Sequence, residues 1–236
     1  MGARFYARGP RKPDRTRYRH QLLSPASLPV VAASTQDAVS TPDHTLTASS
    51  RRIALLCPGP SLRTTWIDAL FEKFNLVIAI NDAAWLYRHH WIVGSDRHIL
   101  QPVLDGQKPR PLIGALTNRA YGPRFQAIGL QYVRPETFNP NGPLGKRHTS
   151  YSMVAAVWFA LRQCGPQGVV EIHGFDASPD PSITGIDRHG SHKGARWRDE
   201  AQRLRMVWDA SRIRSMGNAA SWLLDFVAGK RDTFGP

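Results

Sequence analysis

From Arg51 onward the chain is a succession of short apolar runs, and most of them stop in a turn residue, an asparagine or an aspartate. The run inside Arg51–Leu62 ends abruptly in Cys57-Pro58-Gly59-Pro60-Ser61. Leu76–Ile80 is β-branched and of strand length and runs into Asn81-Asp82; Trp91–Ser95 is followed directly by Asp96. Pro111–Leu116 and Leu130–Arg134 read as two further strands, Gly168–His173 as a strand ending in Gly174-Phe175-Asp176, and Ser211–Gly217 as a last one leading to Asn218. Helical spacing separates several of them. Ser61 is a good N-cap for a helix through Trp66, Leu70 and Phe74, and Thr149 or Ser150 for one over Tyr151–Gln163. Trp197, Ala201, Leu204 and Val207 mark a helix from Ala195, and Ala219–Val227 a final one. Apolar strands alternating with helices predict an α/β protein with a doubly wound, mostly parallel sheet in a single domain.

The first 50 residues do not fit this pattern. His20–Ser50 is rich in Ser, Thr, Pro and Ala without a sustained period and reads as linker. Met1–His20 holds Arg4, Arg8, Arg11, Lys12, Arg15, Arg17 and Arg19 against Asp14, with Phe5, Tyr6 and Tyr18 interleaved. Such an arm suits nucleic-acid phosphates and bases, or is simply a solvated tail. The expected organisation is therefore a disordered basic arm and linker over 1–50, a folded domain over 51–228 and a tail over 229–236.

A formal charge of +13 favours an anionic substrate or a polyanionic partner. Cys57 and Cys164 match no disulfide framework or zinc spacing and read as buried thiols, compatible with a reducing compartment. No apolar run approaches the roughly 18 residues needed to span a bilayer, so the expectation is a cytoplasmic protein with no membrane span.

In an open parallel sheet, functional groups gather beyond the carboxyl ends of the strands. Four such ends carry polar or turn residues here: Pro58–Ser61, Asn81-Asp82, Asp96 and Asp176. Turns favour these residue types anyway, but several on one edge predict a polar crevice. The strand, Pro/Gly loop and helix around Gly59 form either a phosphate-binding junction or a plain βα turn. Asn81 can hold a sugar hydroxyl or a phosphate oxygen; Asp82, Asp96 and Asp176 can bind a divalent cation, position a ribose hydroxyl or cap helices. His189 and His192 lie in the polar loop after Asp176, where a histidine can act as general base. The glycine-lysine pair Gly145-Lys146 is not a P-loop, because Arg147 stands where Ser or Thr is required.

Taken in order, the strands into Gly59-Pro60-Ser61-Leu62, Asn81, Ser95-Asp96 and Gly174-Phe175-Asp176 resemble bacterial sialyltransferases and the related Rossmann-like family of 6-hydroxymethylpterin diphosphokinases, which has many phage-encoded members. The resemblance covers roughly Arg51–Leu224 and closes with Asn218 and Ser221. It implies a Rossmann-like domain and a transferase using a CMP- or UDP-linked nucleotide-sugar donor and a hydroxyl-bearing acceptor. Gly59, Pro60, Ser61, Asn81, Asp82, Asp96, Ser150 and Gly174 would form the donor site, and His189 or His192 would be the base, with Asp176 beside it. The chain departs from the transferase loop at Cys57 and Pro58, which replace a glycine and an asparagine. The pterin-kinase side of the resemblance implies pyrophosphoryl transfer from ATP with magnesium instead. A third possibility, from the arm alone, is a nucleic-acid-associated protein.

Overall fold

The computed structural model describes residues 51–62, 67–134, 151–176, Thr184 and 193–235. The basic arm, Trp66, His148, Thr149, Ser150, His189 and His192 therefore lie outside the described residues. The folded unit is a seven-stranded, wholly parallel sheet in the order β5-β4-β3-β2-β1-β6-β7. The strands are β1 (Arg52–Leu56), β2 (Leu76–Ile80), β3 (Trp91–Val93), β4 (Gly114–Leu116), β5 (Gln131–Val133), β6 (Val169–His173) and β7 (Ile213–Ser215). The helices are α1 (Ile67–Lys73), α2 (Arg97–Leu104), α3 (Gly122–Ala127), α4 (Ser152–Cys164), α5 (Lys193–Val207) and α6 (Ser221–Val227). This is a Rossmann-like α/β domain. The chain steps outward from β1 to β5 and then returns to place β6 against the other side of β1, so the topological switch lies between β1 and β6.

Strand alternation sorts the core into two layers. Ile53 and Leu55 of β1 and Cys57 just beyond it, with Ile78, Ile80, Trp91 and Val93, face the layer containing α4, Ala201 and Leu204 of α5, and Leu223, Phe226 and Val227 of α6. Ala54 and Leu56, with Val77, Ala79 and Ile92, face Leu70 of α1, Ile99 and Leu100 of α2, and Phe125 of α3. Register makes large and small side chains alternate across that second face, in the row Leu56, Ala79, Ile92, Ala115. On the first face the row runs Leu55, Ile78, Trp91, Gly114. A Cβ on Gly114 would lie 2.8 Å from the Trp91 ring, so the absent side chain makes room for the indole. Trp91 then meets Phe159 of α4 at 4.9 Å between centroids. α4 is the central helix: Met153 through Val157, Phe159 and Ala160 are all buried, as its largely apolar sequence predicts.

Several elements are shorter than their apolar runs. Pro111–Ile113 falls outside β4 because the Leu112 and Ile113 N–H groups bond to the His89 and His90 carbonyls of the preceding turn. At the start of the last expected strand, Ser211 is held in a turn by Asp209, which accepts from both its N–H and its hydroxyl. A 3₁₀ turn over Asn81–Trp85, α2 and α3 are absent from the sequence reading. Their punctuation disguised them, since α2 contains Pro102 and α3 opens on Gly122-Pro123. The C-terminal segment is packed: the Phe234 ring meets Trp222 at 5.1 Å and Phe226 at 5.5 Å between centroids.

Two histidines before β3 have their charged forms disfavoured by their surroundings. His89 is fully buried and donates Nδ1–H to the Tyr87 carbonyl at 2.6 Å. Burial lowers its pKa to about 4, against the weaker opposing effect of that bond. His90 accepts the Val77 N–H at Nδ1 (3.0 Å) and stacks on Phe71; burial and Arg88 lower its pKa. A histidine titrating lower in the folded chain than in the unfolded one contributes stability that is complete above about pH 6.5 and declines as pH falls toward 4. The shift at His89 corresponds to about 3 kcal/mol over that window. Urea unfolding at a series of pH values is expected to show this decline, and His89→Gln to flatten it; a profile unchanged by His89→Gln would contradict the assignment.

Candidate functional site

The polar residues expected at the strand ends do meet at one edge of the sheet, but they divide into two groups with different work. The first group closes the switch between β1 and β6. The ladder continues past the strands with Cys57 N–H to the His173 carbonyl (2.8 Å) and Gly59 N–H to the Gly174 carbonyl (3.0 Å). This approach requires bare backbone. A Cβ on Gly59 would overlap the Gly174 carbonyl oxygen, and one on Gly174, whose φ is +69°, would overlap the Cys57 carbonyl oxygen. A Cβ on Gly217, beyond β7, would sit 2.7 Å from the Phe175 backbone.

Asp176 completes the closure. Its carboxylate accepts the Ser61 N–H at 2.7 Å, the Ser61 hydroxyl, and the Asn218 N–H at 2.9 Å. Three strand-end loops are thereby tied to one side chain. Ser61 serves Asp176 in place of the expected N-cap. The loop's amides are occupied as well: Pro58 and Pro60 have none, Gly59 and Ser61 donate as described, and Leu62 N–H bonds to the Gly59 carbonyl at 3.0 Å. Gly59, Pro60, Ser61, Gly174 and Asp176 thus form a built-in clasp, and the loop's N–H groups are engaged within the protein.

Beside the clasp, Cys57 and His173 are both buried. Burial raises the Cys57 thiol, with Glu200 and Asp176 adding to the effect, so it is an inert core group against Met153. His173 lies 3.8 Å from Glu171, which also takes the Arg52 guanidinium at 2.8 Å. Burial lowers the pKa of His173, against the opposing pull of Glu171.

The second group lies at the ends of β2 and β3 under the start of α4. Asn81 has φ +54°, among the described residues the one non-glycine in the left-handed region. Asparagine tolerates this conformation better than most residues, and strain of this kind concentrates at functional positions. Its Oδ1 accepts the Ser152 hydroxyl at 3.1 Å, which leaves the amide N–H groups of Asn81 as donors. Ser152 opens α4, where Tyr151 is the N-cap and makes no side-chain capping bond. The N–H groups of the first helical turn have no acceptor within the helix, and the positive end of the dipole lies there.

The three aspartates have separate environments. Asp82 is fully buried and accepts the hydroxyl of Thr184, so the loop after β6 is anchored to the end of β2. Asp96 is exposed and precedes α2 without capping it through its side chain. Asp176 belongs to the clasp. Among the described residues, no group of three or more His, Cys, Asp or Glu converges as a metal site.

Ser152 was missed in the sequence. The cap was read at Thr149 or Ser150, which lie outside the described residues; the N-cap is Tyr151, which makes Ser152 the first residue of α4. Thr184 had no local signal.

Fold and edge together define a Rossmann-like domain with an internally closed switch point and a polar contact between β2 and α4 beside it. Comparison of the chain with family models, curated proteins and solved structures returned no match. Among the described residues, no helix is long and apolar enough to cross a membrane.

The clasp predicts that Asp176→Asn lowers stability by about 2 kcal/mol, the scale of hydrogen bonds to a charged acceptor. Gly59→Ala should cost about 3 kcal/mol or more through backbone overlap. Gly129→Ala, where nothing lies within 4 Å of the added carbon, should cost only about 1 kcal/mol through its positive φ. Chemical unfolding of the three variants checks the order; an Asp176→Asn protein as stable as the wild type would leave the carboxylate without a structural role.

Proposed function

We propose that this chain is a transferase that binds a nucleotide-activated donor, of the sialyltransferase-like glycosyltransferase type. The observation that carries the reading is the Asn81–Ser152 pair: a strained asparagine at the end of β2 bonded to the first turn of a thirteen-residue helix whose N-cap, Tyr151, makes no side-chain capping bond. Unpaired N–H groups, a helix dipole and an uncharged amide suit a phosphate group. The donor's phosphate is assigned to this corner, with the Asn81 amide and the α4 amides as its donors. The clasp at Gly59–Ser61 shapes the adjoining wall without supplying N–H groups.

In this reading the acceptor hydroxyl attacks the transferred carbon as the bond from that carbon to the nucleotide phosphate breaks. The electron pair leaves with the phosphate, and a base takes the hydroxyl proton. His189 or His192 is the candidate base. Thr184, five positions before His189, bonds to Asp82 at the end of β2, which is the observation favouring this loop as the source of the base. Direct displacement inverts the transferred carbon.

The test begins with thermal unfolding of the chain with CMP, UDP, GDP or ATP, each with and without magnesium, since a ligand of the native state raises its midpoint. Stabilisation by CMP or UDP without metal is expected. Asn81→Gly keeps the backbone conformation while removing the amide, so it should fold and bind the nucleotide about tenfold more weakly, roughly 1.4 kcal/mol. Stabilisation by ATP only with magnesium would replace this reading with pyrophosphoryl transfer, and no shift with any nucleotide would overturn both. The His189→Ala/His192→Ala pair is expected to abolish transfer with nucleotide binding retained; full activity would remove the base assignment.

A further inference from the structure

Between α2 and α3 lies an open cavity of about 600 Å³ lined by Arg97, Gln101, Asp105, Ala120, Tyr121 and Arg124. Arg97, Gln101 and Asp105 recur every four residues along α2, so they stand in line on the face opposite buried Ile99, Leu100 and Val103. Facing them, the turn after β4 is built by Asn118, which accepts the Ala120 N–H at Oδ1 (2.9 Å) and donates Nδ2–H to the Ser95 carbonyl (3.2 Å). That turn sets Ala120 and Tyr121 on the cavity wall.

The polar groups inside are ordered before any ligand arrives. Asp105 accepts from Gln101 Nε2 at 2.6 Å, and Gln101 Oε1 accepts from Arg124 Nη1 at 2.7 Å. The Arg124 guanidinium also lies 5.7 Å from the centroid of the Tyr121 ring. The one carboxylate in the cavity therefore orients Gln101 and does not neutralise either arginine directly. Arg97 is exposed and has no hydrogen-bond or ion-pair partner among the described residues. Two guanidinium groups, one held in place and one open, over a cavity several times the size of a phosphate and walled by an aromatic ring, match a phosphate ester better than a bare anion.

We propose that the cavity between α2 and α3 binds the phosphate of a nucleotide unit, with Arg97 and Arg124 on the phosphate and Tyr121 beside the sugar or base. A free mononucleotide and the phosphorylated end of a single strand offer the same chemistry. Its lining residues differ from those of the Asn81–Ser152 corner, and it does not depend on the transferase reading.

The experiment is calorimetric titration of the full chain at low ionic strength with thymidine 5′-monophosphate, with a 5′-phosphorylated thymidine dinucleotide and with the same dinucleotide lacking that phosphate. Both phosphorylated probes are expected to bind more tightly than the unphosphorylated one. A preference for the dinucleotide identifies a strand end, and equal binding a free nucleotide. Arg97→Gln/Arg124→Gln should weaken phosphorylated probes tenfold or more, while Arg162→Ala, at the far end of α4, leaves binding unchanged. Gln101→Glu, which replaces the neutral partner of Arg124 with a charge, should weaken binding in the same direction if the paired variant fails to fold. The proposal is overturned if the wild-type chain binds none of the probes, if phosphate makes no difference, or if the arginine variants bind as the wild type does.

Discussion

One carboxylate holds the working edge of this protein together. Asp176 accepts from the backbone of Ser61 and Asn218 and from the Ser61 hydroxyl, joining the loops that follow β1, β6 and β7. A parallel sheet leaves its strand-end loops to find their own partners, because the ladder stops where the strands part. Here the ladder is prolonged by Cys57 and Gly59, and where it ends a charged acceptor takes the next N–H groups. Glycine at 59, 174 and 217 allows the backbones to come close enough for that. The closure has a functional cost, since amides that hold a phosphate in many Rossmann-like loops are here directed to the protein itself.

The β1 loop is engaged within the protein, and the next polar contact along the edge joins Asn81, one strand further from the switch point, to the start of α4. α4 is held there by its burial against β1, β2, β3 and β6, which leaves its start little freedom to move. Ser152 is therefore positioned by the core, and its bond to Asn81 transmits that rigidity to the end of β2. Preorganised donors of this kind serve binding because they need no rearrangement when the ligand arrives.

How much of this was legible in the sequence follows from which interactions are local. β1 and β2 announced themselves as apolar runs, since strands buried on both faces need no alternation, and β6 as β-branched residues closed by Gly174. The short outer strands were visible but too long in the reading, because turn hydrogen bonds such as Leu112 to His89 take residues that look like strand. α2 and α3 were hidden by Pro102 and by Gly122-Pro123, residues that usually mark a break. At the edge, residue types were readable and their partners were not. For Asp176, nothing near it in sequence shows that Ser61 lies across the switch, 115 positions away.

The same reasoning separates the two arginine-bearing features of the chain. The arm over 1–20 is basic by composition, and composition predicts only attraction to polyanions that weakens with salt. Arg124 is different in kind: Gln101 fixes its guanidinium, Asp105 fixes Gln101, and the Tyr121 ring stands beside it. An arginine ordered in advance loses less side-chain freedom on binding than one on a free arm, so at equal charge it discriminates better by shape. Under the binding proposed for the α2 and α3 cavity, Arg124 supplies the discrimination by shape.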